Sequence, residues 1–144
     1  MIAENKSKCV VVVSCWQIQC CGTPFQVGDK VEWLVLKYKE VNTKPRSGAE
    51  VEYYYEFHSS DWKKLYKITG IVDELNAEYY SLELRPPTEK LPKGSKELIY
   101  KKTVKITKAD IWEKDIDGLE FEAYIVTLRD FTILPAKQEE VTFS

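Results

Sequence analysis

The chain has 144 residues, 44% of them hydrophobic and 31% charged, the proportions of one ordinary folded domain and not of a disordered segment. Its 21 Lys and Arg against 23 Asp and Glu leave a net charge of -2, so no global field draws in a polyanion and nucleic-acid binding is not expected. The polar start Met1-Ile2-Ala3-Glu4-Asn5-Lys6-Ser7-Lys8 and the shortness of the apolar run Val10 to Val13 exclude a signal or membrane segment there, which predicts a cytoplasmic protein without a membrane partner.

Lys8 to Trp16, with the unbroken run Val10-Val11-Val12-Val13, predicts a strand buried on both faces. Gly22-Thr23-Pro24 breaks it, Gly28-Asp29 makes a tight turn, and Val31, Trp33 and Val35 open a second strand reaching Tyr38. The stretch from Asn42 to Gly48 reads as a loop. Aromatic-rich Glu50 to Phe57 fits neither period cleanly and is read as a strand, with the start of a helix as the alternative, and Ser59-Ser60-Asp61 supplies capping oxygens for one helical turn at Trp62. Alternation in Tyr66 to Val72 and again in Tyr80 to Leu84 predicts a β-hairpin turning at Glu74 to Glu78.

Pro86-Pro87 ends that hairpin, and a surface loop leads to a strand marked by Leu98, Tyr100, Val104 and Ile106, where Lys102 signals an edge or a bulge. Thr107 and Asp110 suggest a weak capping box for a short helix from Ala109 to Lys114, and Leu119, Phe121, Ala123 and Ile125 head a last long strand to Leu134-Pro135. The whole chain, 1 to 144, reads as a single mostly-β domain: a small antiparallel barrel, SH3-like or OB-like, of about six or seven strands with one or two short helical turns. Residues 1 to 7 and 137 to 144 are expected to fray.

The 4 cysteines, Cys9, Cys15, Cys20 and Cys21, crowd near the N-terminus instead of spreading as a disulfide framework would, so reduced thiols are expected. The segment around them holds Trp16-Gln17, Cys20-Cys21-Gly22, Pro24-Phe25 and Val27-Gly28-Asp29. In that order these residues resemble the N-terminal motif of a bacterial protein family of uncharacterised function. Glu56-Phe57-His58 and Ile68-Thr69-Gly70-Ile71-Val72 are similar to later segments of the same family. The resemblance implies no activity, only that the motif has a role. Phe25-x-Val-Gly-Asp-x-Val31 also resembles the entry to the first long strand of SH3-like barrels, whose members bind through loops and exposed aromatics.

Three chemistries fit these residues. The first is a binding module without catalysis or cofactor, contacting a protein or small-molecule ligand through Trp16, Gln17, Cys20, Cys21, Tyr54, His58 and Trp62, since aromatic side chains carry much binding energy. The second is a zinc site made of Cys15, Cys20, Cys21 and His58, against which stands the adjacency of Cys20 and Cys21: knuckles space their cysteines so that both sulfurs turn inward. The third is a cysteine nucleophile with His58, the single histidine, as base. Phosphate loops, the dinucleotide fingerprint, the zinc-protease helix and the calcium loop are absent from the sequence. The basic stretch Lys90, Lys93, Lys96, Lys101, Lys102, Lys105 and Lys108 reads as an edge strand guarded by lysine more readily than as a phosphate-binding face.

Overall fold

In the computed structural model, residues 7–37, 47–56, 62–84 and 93–140 are described, Cys21 by its backbone alone. His58 and the side chain of Cys21 therefore lie outside the described residues, as do most of the two polar loops.

Valine-rich β1 (Lys8–Ser14) keeps Val11, Val12 and Val13 buried, as a strand with apolar groups on both faces must. It lies between β8 (Glu120–Pro135), to which it runs antiparallel, and β4 (Tyr53–Tyr55), to which it runs parallel. The other strands are β3 (Lys30–Lys37), β5 (Tyr66–Leu84) and β6 (Lys96–Ile106). Together they make one six-stranded sheet in the order β3-β4-β1-β8-β5-β6, in which β3 pairs with β5 as well as with β4. The succession of pairings thus returns to β3, and β6 is added outside that ring along the far half of β5. A second, two-stranded sheet joins β2 (Phe25–Gln26) to β7 (Lys108–Ala109). One large core lies between these strands, and a smaller cluster of Val12, Val51, Ala123 and Ile125 packs on the opposite face.

Three expectations are corrected. The first strand ends at Ser14, and Cys15–Cys21 form the helix α1. Burial of Gln17 and Ile18 there follows a helical turn and not a pleat. The hairpin with its turn at Glu74 to Glu78 is instead one 19-residue strand, β5. Its register against β8 shifts between Thr69 and Ile71, Val72 and Glu74, and Glu78 and Tyr79. These bulges break the alternation without breaking the strand, and a broken alternation reads as a turn. No helix spans Ala109 to Lys114, because Lys108–Ala109 pair as β7 and the Asp110 carboxylate accepts the Trp112 N–H at 3.0 Å. Gln138–Glu140 form a short 3-10 turn.

The remaining elements follow the sequence closely. Trp62–Lys64 make the single helical turn, and β6 is the edge strand, with a register shift beside Lys102. Three of its lysines pair with acids: Lys101 with Glu83 at 2.8 Å, Lys105 with Glu74 at 3.4 Å and Lys102 with Asp117 at 4.0 Å. No helix among the described residues is long and apolar enough to cross a membrane.

Candidate functional site

The Trp16 to Val31 motif resolves into a helix, a stop and a turn. The Gly22 N–H donates to the Ile18 carbonyl at 2.7 Å and closes α1. A Cβ on Gly22 would overlap the Ile18 side chain and come within 2.8 Å of the Ile18 carbonyl oxygen, so only glycine lets the chain leave the helix here. Six residues on, Gly28 has φ 96, the glycine position of a type II turn. The turn is locked by the Asp29 carboxylate, which accepts the Gln26 N–H at 3.0 Å, and is tied to β5 by Gly28 N–H to Val72 O at 2.8 Å. That tie sets the start of β3 against β5 and the Gly22-Thr23-Pro24 exit beside both.

A cleft opens where these pieces meet. One lobe, of about 320 Å³, is lined by Gly22, Thr23, Pro24 and Phe25 from the exit, and by Asp29, Lys30 and Val31 at the start of β3. The other, of about 280 Å³, is lined by Leu34, Lys67 and Glu140. Glu32, Trp33 and Tyr55 line both lobes, so the two adjoin across those residues. The floor is aromatic and edge-on: Phe25 and Trp33 rings lie 5.2 Å apart, and Trp33 and Tyr55 5.6 Å apart, both nearly perpendicular. The ring contacts continue into the core through Tyr124, Phe121 and Tyr79. Burial pushes the Tyr55 phenol up to about 12, so it stays neutral near neutral pH. The rim is charged, with Lys67 Nζ 2.6 Å from Glu140 and 3.9 Å from Glu32.

On the other side of α1, Gln19 Nε2 donates to the Ile111 carbonyl at 2.9 Å. Ile111 is buried with φ 67, a conformation costly for a β-branched residue, at about 1–3 kcal/mol. It is held by its N–H donating to the Tyr124 hydroxyl at 2.9 Å, while that hydroxyl donates to Glu113 at 2.6 Å. Burial, then the Glu113 carboxylate, raises the Tyr124 phenol far above its ordinary range. The neighbouring Trp112 is 65% exposed, and Trp16 on α1 is 61% exposed.

None of the five expected contact residues whose side chains are described lines the cleft. Trp16 projects from α1, and Gln17 is buried, with Nε2 donating to Glu56 at 3.1 Å. Tyr54 packs on the smaller cluster behind β1. Trp62 sits half-buried in its 3-10 turn. Cys20 is exposed and disulfide-bonded, which corrects the expectation of reduced thiols at that position, whereas Cys9 and Cys15 carry thiols outside any disulfide. Burial, reinforced by Glu122, pushes the Cys15 thiol up to about 11. Neither Cys15 nor Cys20 therefore presents a thiolate near neutral pH. Among the described residues no group of three or more His, Cys, Asp or Glu is placed to hold a metal ion.

Sequence reasoning missed Phe25, Trp33 and Tyr55 as a joint floor. The signal was present: in Tyr53-Tyr54-Tyr55 alternate rings take opposite faces, and Tyr55, not Tyr54, falls on the side of Trp33.

A family model described as "Family of unknown function (DUF6578)" matches residues 7–130. No curated protein and no solved structure matches the chain.

Proposed function

This chain belongs to the DUF6578 family of unknown function, and from that premise we propose that it is a binding module without catalysis, a cytoplasmic SH3-like barrel whose two-lobed cleft takes a protein segment or small molecule. The observation that carries the reading is the aromatic floor: Phe25, Trp33 and Tyr55 stand edge-on under a charged rim, the mix of apolar surface and few polar groups that ligand sites use. The barrel assignment is supported by the ring of pairings through β3, β4, β1, β8 and β5. The reading without catalysis is supported by the raised Cys15 thiol and by the disulfide at Cys20, which leave neither of these two sulfurs a ready nucleophile.

The test uses Nile red, a neutral apolar dye that brightens in apolar clefts, with the native chain and Thr23→Trp. Thr23 is an exposed lining residue, so the larger ring fills the lobe without disturbing the core. The expected result is saturable dye binding to the native chain and a loss of about tenfold or more in affinity on Thr23→Trp. Equal binding by both would remove the cleft as the site.

A further inference from the structure

We propose that Lys67 is an anion-binding subsite of the cleft for an acidic peptide, and that Glu140 of the chain's own C-terminal turn occupies it as an internal substitute for that ligand. The proposal rests on the cleft reading above and adds the chemistry of its ligand.

The geometry is that of a bound carboxylate. Glu140 Oε2 lies 2.6 Å from Lys67 Nζ, while Glu32, on the neighbouring strand, stands at 3.9 Å. Charge-assisted N–H to carboxylate bonds run at about 2.7–2.9 Å, so Glu140 holds the ammonium and Glu32 only biases it. Lys67 rises and Glu140 falls from their ordinary ranges, each chiefly through this hydrogen bond. The other oxygen, Oε1, accepts the Lys137 N–H at 2.7 Å, and the Glu140 N–H returns to the Lys137 carbonyl at 2.9 Å. A compact acidic turn is thus seated at the lobe that Trp33 and Tyr55 also line.

Among the described residues, the turn packs beside the 3-10 turn Trp62–Lys64 and is held to the sheet at two points. Its anchor is Ala136, buried and donating its N–H to the Leu65 carbonyl at 3.0 Å. Beyond Ala136, Lys67 is the contact that an external carboxylate would have to take over. The turn also lies past residues 7–130, outside the part of the chain that the family shares. A tethered group competes with an external one through its effective concentration, so weakening it frees the subsite without any change in the floor.

The probe is a synthetic peptide of residues 137–144, Lys-Gln-Glu-Glu-Val-Thr-Phe-Ser, titrated by calorimetry into the full chain and its variants. Glu140→Gln in the protein is expected to bind it about threefold or more tighter than the native chain, the scale of an exposed ion pair. Adding Lys67→Met should abolish that gain, as should Glu140→Gln in the peptide. Equal binding by the native and Glu140→Gln chains, or a gain that survives Lys67→Met, would overturn the proposal. Nile red titrated into the same proteins separates the two readings: dye still sensitive to Thr23→Trp with no peptide gain sinks the anion subsite alone, and loss of that sensitivity sinks the cleft as well.

Discussion

Replacing Tyr124 by Phe removes one oxygen from the interior and nothing else. Tyr124 is fully buried, and its hydroxyl both accepts the Ile111 N–H at 2.9 Å and donates to Glu113 at 2.6 Å. Without it the buried Ile111 N–H has lost its acceptor, at a cost of about 1–3 kcal/mol. The bond to a carboxylate is worth about 1.5–3 kcal/mol more, but Glu113 is only half-buried, and water replaces part of that. The expected loss is therefore about 2–4 kcal/mol, or a fall in Tm of about 6–14 °C for a chain of this size. Urea unfolding measures it, and the m-value should stay constant because the surface exposed on unfolding is the same. Combining Tyr124→Phe with Glu113→Gln should give less than the sum of the single losses, since both touch one hydrogen bond. A change below about 0.5 kcal/mol would refute the reasoning, because a surface substitution already reaches that value.

Three further outcomes are expected. Gly22→Ala forces a methyl into Ile18 and should destabilise by about 1–3 kcal/mol, the cost of overpacking, read by the same unfolding assay; an unchanged midpoint would mean that α1 ends elsewhere. Cys15, its thiol pushed up to about 11 by burial, should react sluggishly with iodoacetamide at pH 8 and speed up as pH approaches that value, with Cys9 slower still because it is buried; rapid labelling of Cys15 at pH 7, read by peptide mass, would contradict the burial. Glu78, 1% exposed, is raised by burial against the opposing hydrogen bonds of Ser47 and Tyr80. Its proton is held more tightly in the folded chain than in the unfolded one, so its contribution is full below the unfolded value of 4.5 and is lost as pH rises through the higher folded value. Subtracting the pH profile of Glu78→Gln from that of the native chain should leave a stability difference that falls with rising pH, and a flat difference would show that Glu78 titrates normally.

Local rules made much of this fold legible. The valine run of β1, the Val31-Trp33-Val35 alternation of β3, the single turn at Trp62 and the long last strand all follow from side-chain period and turn residues. The lysines that mark β6 as an edge are readable for the same reason: the strand that keeps one row of amides unpaired needs protection. Gly28 is readable too, because a positive φ in a tight turn selects glycine whatever surrounds it.

What lay outside the reach of the sequence is non-local. A bulge is one residue of mismatch between two strands, so the shifts that make β5 continuous exist only once β8 is alongside it. Helix α1 has no side-chain cap and carries weak formers, and it holds its shape because Ile18 and Gln17 are buried against the sheet. The cleft joins residues 22 to 34 with Tyr55, Lys67 and Glu140, groups that share no local pattern. Composition determined that this chain would be a β domain with aromatic rings to spare; only the pairing of β3 with both β4 and β5 decided which of those rings, Trp33 and Tyr55, would meet where the edge of the core lines a cleft.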